Sequence, residues 1–183
     1  MGFLWVGNHP GVDLCNTCPV VDGEPVELLN EPEDLRAWLS AALGRTPAPL
    51  AEPDRSTLTW ARRLREDLRA VLVSAGPRTG VLDGLNASLA GLSAVPAVDG
   101  AGHLVLRSPR PQVQLRLELA SLAIDACGLD PGRVRRCANP DCVLLFYDST
   151  KSATRRWHDM ATCGNRAKAA AHYERTRSRR RRT

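Results

Sequence analysis

Apolar positions along the chain recur mostly at helical spacing. Leu35, Trp38, Leu39 and Ala42 fall three and four residues apart, which predicts a helix over residues 31–43. Asn30 stands where an N-cap belongs, Pro32 sits in the first turn, and Gly44 follows as a C-cap. A longer stripe of Leu58, Ala61, Leu64, Leu68, Leu72 and Ala75, flanked by Arg62, Arg63, Arg65, Glu66, Asp67 and Arg69, predicts a second helix from about 53 to 74. Gly76-Pro77 ends it, and residues 44–53 read as a proline-rich loop before it. A shorter third helix is expected over 82–92. Residues 113–119 alternate like a strand at first, but Leu115, Leu119, Leu122 and Ala126 keep helical spacing, so a helix is predicted over 111–127, ended by Gly128.

β character is sparse. His103–Arg107 reads as a short strand after the Asp99-Gly100 turn, and Val20-Val21-Asp22-Gly23 as a strand end or turn. Val12–Thr17 fits either one helical turn or a short strand, within a first 30 residues broken repeatedly by Gly and Pro. The expected class is mainly α with a small β component. A multihelical N-terminal domain spans 1–130, a compact module spans 131–178, and a basic disordered tail fills 179–183, with the boundary in the Leu129-Asp-Pro-Gly connector.

Charge sharpens that division. From Val134 onward there are thirteen Lys and Arg against four Asp and Glu, a balance of +9, while the first 133 residues carry −4. Such asymmetry points to a basic arm that meets a polyanion, most often nucleic acid. An apolar fraction of 43% suffices for a buried core. The apolar start, Met1–Val6, is too short for a secretory signal, and no apolar run approaches the roughly 20 residues of a membrane span. The expectation is a cytoplasmic protein without a membrane partner, whose six cysteines are thiols or metal ligands and not disulfides.

Cys137, Cys142, His158 and Cys163 are spaced C-x4-C-x15-H-x4-C. Asn139-Pro140-Asp141 turns tightly between the first two, so both thiolates can face one ion. Phe146-Tyr147-Asp148 has strand character before the polar loop 149–153, which suggests a hairpin between the two ligand pairs. Cys163 precedes an Ala-rich run and is expected at a helix N-terminus, where the backbone dipole favours a thiolate. Knuckle, hairpin and ligand-bearing helix describe a treble-clef-like module. Three thiolates and one imidazole fill all four positions of a tetrahedral zinc ion, so one structural ion is predicted and not a catalytic one.

Trp157-His-Asp-Met-Ala-Thr-Cys163-Gly-Asn-Arg166, with Cys137-x4-Cys142 upstream, resembles the CGNR zinc finger, named for the residues here at Cys163, Gly164, Asn165 and Arg166. The family pattern places a cysteine directly after the tryptophan, where this chain has His158. Fingers of this kind usually follow an ABATE domain with an N-terminal signature close to Leu-Asp-Phe-x-Asn-Thr. Val12-Asp13-Leu14-Cys15-Asn16-Thr17 resembles it at Asp13, Asn16 and Thr17. The resemblance implies a stress-responsive transcriptional regulator with a sensing or partner domain.

Other residues carry weaker chemistry. Cys15-x2-Cys18 lacks a second pair or a strand-then-helix frame, so buried thiols are expected. His9, His103 and His172 have no evident partners in sequence. Asp13, Asn16 and Thr17 are candidates for binding a small-molecule or protein ligand, or for capping a helix or fixing a turn. In the basic run, Asn165, Arg166, Lys168, Arg175 and Arg177 are the candidate nucleic-acid contacts, unless Asn165 and Arg166 brace the knuckle instead. Three functions follow: a DNA-binding regulator, an RNA- or ribosome-associated zinc protein, or an enzyme. No Ser/His/Asp set, phosphate loop or open metal site supports the last, so no catalysis is expected.

Overall fold

The computed structural model describes residues 2–44, 52–74 and 79–180; within the last helix, nothing is said of the side chains of residues 171, 174 and 178–180. Most of the proline-rich loop, the Gly76-Pro77 stop and the last three residues of the expected tail lie outside the described residues. The chain runs α1 (Pro10–Cys15), β1 (Val20–Val21), β2 (Glu24–Pro25), α2 (Pro32–Leu43), α3 (Arg55–Val73), α4 (Thr79–Leu89), β3 (Val95–Val98), β4 (Leu104–Arg107), α5 (Pro111–Cys127), β5 (Val134–Arg136), β6 (Leu145–Tyr147) and α6 (Asn165–Arg180). A wide π-helical turn, Met160–Gly164, leads directly into α6. Helices dominate, and the strands form three separate antiparallel pairs.

The expected helices are present with local adjustments. In α2 the cap is Glu31 and not Asn30, because Glu31 and Asp34 form a reciprocal capping box. Gly44 ends α2 in the left-handed conformation at φ 62°. Asp54 caps α3 by accepting from the Thr57 N–H at 2.7 Å. The strand-or-helix ambiguity at Val12–Thr17 resolves to α1, with His9 as its cap: Nδ1 accepts from the Gly11 N–H at 3.1 Å, so His9 does have a partner. Asp22 and Gly23 both hold positive φ, at 51° and 88°, and turn β1 into β2. The expected strand near 103–107 pairs with a second one that contains Pro96.

One core unites both halves of the chain. Leu14, Leu35, Trp38, Leu64, Leu68, Leu115 and Leu119 form its centre, and Val134 and Leu145 of the C-terminal hairpin belong to the same cluster. Trp5 stacks on Trp38 with ring centroids 5.7 Å apart. Helix α1 lies against α5 so closely that a Cβ on Gly11 would fall 2.3 Å from the Leu122 carbonyl oxygen, which only a glycine permits.

Polar groups of the Asp13-x2-Asn16-Thr17 signature fasten this arrangement. Asn16 is 1% exposed; its Nδ2 donates to the Leu145 carbonyl and its Oδ1 accepts from the Leu145 N–H, each at 2.9 Å. Asp13 accepts from the N–H groups of Val6 and Gly7 at 3.0 and 2.6 Å, while burial pushes its carboxyl above the usual range. The Thr17 hydroxyl donates to Leu14 and accepts from Arg65, whose guanidinium also grips Glu27 through two bonds of 2.7 and 2.8 Å. Tyr147 donates to the Gly7 carbonyl at 2.8 Å and Asn8 donates back to the Tyr147 carbonyl at 2.9 Å, so the N-terminal segment runs beside β6.

Replacing Asn16 with Ala leaves the Leu145 N–H and carbonyl buried without their partner, at about 1–3 kcal/mol for each unsatisfied group. Urea unfolding followed by tryptophan fluorescence should show a lower midpoint for Asn16→Ala in one shared transition. An unchanged midpoint contradicts the role given to this side chain.

Candidate metal centre

The centre is built from two short stretches that approach from opposite sides. Strands β5 and β6 pair through Val134↔Tyr147, Arg135↔Phe146 and Arg136↔Leu145, and the Cys137–Cys142 knuckle fills their connection. The hairpin therefore encloses the first ligand pair and does not lie between the pairs, a correction to the order expected from the strand-like Phe146–Asp148. Cys137 donates its N–H to the Leu144 carbonyl at 2.9 Å, and Cys142 donates to that of Asn139 at 3.0 Å. These bonds close the turn that aims both sulfurs inward.

The second stretch is held by Arg155 and Asp148. Asp148 is fully buried; one oxygen accepts from the Thr150 N–H and hydroxyl, and the other from the Arg155 N–H at 2.8 Å. The Thr150 hydroxyl is the main reason its carboxyl is held below the usual range. Arg155 stacks 4.9 Å over the Phe146 ring and donates to the carbonyls of Trp157 and His158. This places His158 beside the knuckle. Asp159 then caps the π-helical turn by accepting from the Ala161 N–H at 2.9 Å, which brings Cys163 round to the same point.

The ligand atoms of Cys137, Cys142, His158 and Cys163 all lie within 4.8 Å of one another, and all four residues are buried. Zinc bonds of about 2.3 Å to sulfur and about 2.0–2.1 Å to nitrogen set neighbouring ligand atoms of a tetrahedron roughly 3.5–3.8 Å apart. The 3.5 Å between Cys142 Sγ and His158 Nδ1 matches that spacing. Burial pushes the Cys142 thiol up to about 12, and the neighbouring Cys137 and Cys163 add to the effect. A bound divalent cation offsets that cost and holds the thiolate form. Burial also lowers the His158 pKa, keeping the imidazole neutral as ligation requires. The donor set is complete, so the site is a closed structural zinc site for one ion.

The residues that support the ligands escape a reading by ligand type alone. Asn139 is buried, and its Nδ2 donates to Cys163 Sγ at 3.3 Å while its Oδ1 accepts from the Asp141 N–H at 3.2 Å. Its place between two knuckle cysteines is the only sequence signal for it. Leu4, Val6 and Trp157 pack round the ligands, so the N-terminal segment also shields the metal.

The remaining candidates separate clearly. Asp13, Asn16 and Thr17 are no more than 5% exposed and make the bonds described above. The cleft of about 590 Å³ between β4 and α5 is lined by other residues, among them Arg107, Gln114 and Glu118. Cys15 is buried and its thiol is pushed up to about 12, which suits an inert side chain. Arg166, Lys168, Arg175 and Arg177 are exposed along α6. Asn165 is exposed too, but its Nδ2 turns back to the Ala161 carbonyl at 3.1 Å. Helix α6 continues through Arg180, where a disordered tail was expected to have begun at 179.

Fold and site together define a zinc-finger protein in which a helical domain and a metal-bearing module share one core. Residues 133–176 match the CGNR zinc finger, and residues 8–130 match ABATE, described as "Putative stress-induced transcription regulator". The chain belongs to the ABATE family and carries a CGNR zinc finger after that domain. No curated protein sequence matches it. No helix among the described residues is long and apolar enough to cross a membrane.

Protein purified without chelator should carry one zinc per chain by metal analysis. Cys163→Ser should lose it, whereas His158→Cys, which keeps a zinc-competent ligand at that position, should keep it. Retention of full zinc by Cys163→Ser contradicts the assigned ligand set.

Proposed function

We propose that the protein is a DNA-binding transcriptional regulator in which zinc fixes the start of a basic recognition helix. The observation that carries this reading is the distribution of charge on α6. At about 100° per residue, Arg166 and Arg177 fall on one face, and Lys168 and Arg175 fall on the opposite face. All four are exposed. A helix about 10–12 Å across fits the major groove, about 12 Å wide, with a phosphate backbone on either side. Arg177 on one side and Lys168 and Arg175 on the other can then meet the two backbones, while Arg166 stands at the helix start, about 16 Å along the helix from Arg177.

Binding and not catalysis is the role this site suits. The four protein ligands leave the metal no open position for substrate or an activated water. The family description supports the regulatory part of the reading. The same charges could meet structured RNA, which is a rival outcome of the test below.

Mobility shifts of zinc-loaded protein on duplex DNA, measured across salt concentrations, test the proposal. Affinity should fall steeply with salt, and Arg175→Ala should flatten the log–log slope by about one unit. Absence of any shift at low salt sinks the proposal, and stronger competition by structured RNA than by duplex DNA reassigns the polyanion.

A further inference from the structure

Arg166 differs in its surroundings from Lys168, Arg175 and Arg177. It lines a groove of about 690 Å³ between the β1–β2 hairpin and the zinc knuckle, together with Asp22, Pro140, Asp141 and Val143. It also lines a smaller recess of about 170 Å³ over Cys142, His158 and Cys163, and Asp141 again shares it. Asp141 and Arg166 thus both line the two openings. A cation whose task is to neutralise phosphate gains nothing from a carboxylate neighbour, which repels the same phosphate.

We propose that Arg166 and Asp141 together read a G·C base pair in the major groove, while Lys168, Arg175 and Arg177 hold the backbone; this rests on the DNA-binding reading above. The chemistry of the pair is complementary. A guanidinium presents two parallel N–H donors that match guanine O6 and N7, and a carboxylate accepts from the cytosine N4 amino group. These atoms lie side by side on the major-groove edge of one base pair. The Asp22 carboxylate at the hairpin turn disfavours phosphate at this end of the helix, leaving base edges as the better partner.

The positions of the two readers are set by the metal site. Asp141 directly precedes Cys142, and Arg166 stands three residues after Cys163. Asn139 links the two sides, accepting from the Asp141 N–H at 3.2 Å and donating to Cys163 Sγ at 3.3 Å. Base readout requires groups held by rigid supports, which metal ligands on either side provide. Asn165 turns onto the Ala161 carbonyl at the helix start.

The test is selection of sites from a randomised duplex library with zinc-loaded full-length protein, followed by affinities for the selected site and its G·C→A·T variant. The protein should prefer the G·C site by about tenfold or more. Arg166→Ala, with zinc content confirmed, should lose that preference while keeping its affinity for unselected DNA and its salt slope. Asp141→Asn should weaken the same preference. Arg175→Ala, the comparison, should keep the preference and lower the salt slope. Binding without any sequence preference overturns the inference but leaves the DNA-binding reading standing. A salt slope lowered by Arg166→Ala with preference intact also overturns it, by making Arg166 a phosphate contact. Failure to bind any duplex at low salt removes the underlying reading itself.

Discussion

Convergence of four ligand atoms within 4.8 Å is the constraint on which the C-terminal module depends. Without a cation there, buried sulfurs crowd one another, and the knuckle and the helix start have little else to bring them together. Among the described residues, the cluster around the ligands is small: Leu144, with Leu4, Val6 and Trp157 packed against it. So small a cluster stabilises little by itself, and metal binding supplies the folding energy that a larger core would. The direction and rigidity of the first turn of α6 follow from that bond set.

The module is nonetheless not a free-standing finger. Asn16 takes both backbone groups of Leu145, and Arg69 donates to the carbonyls of Cys15 and Val143, so the N-terminal domain grips the strand that follows the knuckle. Leu145 and Val134 lie in the main core. The residues that resemble the ABATE signature therefore act as a clasp between the two matched segments. The clasp bonds the end of α1 directly to β6, and β6 adjoins the metal site.

The sequence conveyed local features well and distant pairings poorly. The limits of α5, residues 111–127, followed from helical spacing that outweighs the brief alternation at Val113–Leu117. The four ligands were legible because their types and spacing suit one ion. The cap of α2 shifted by one residue because Asp34 reaches back to the Glu31 N–H, a choice the local sequence leaves open. The hairpin was misplaced because β6 pairs with β5, which precedes the knuckle and carries two arginines that mask its strand pattern. Cohesion across the connector at 129–132 arises between residues 129 positions apart and left no trace in composition. Asp13, Asn16 and Thr17 could be recognised as a polar cluster, but only their partners assign them to bracing.

On the proposed reading zinc shapes the module and the basic helix binds DNA. The sharpest measurement compares the affinity of the full chain for duplex DNA with zinc bound, after removal by chelator, and after zinc is restored. Affinity and salt dependence should be lost with the metal and return with it. Equal binding by the zinc-free protein would contradict the claim that the metal presents the helix.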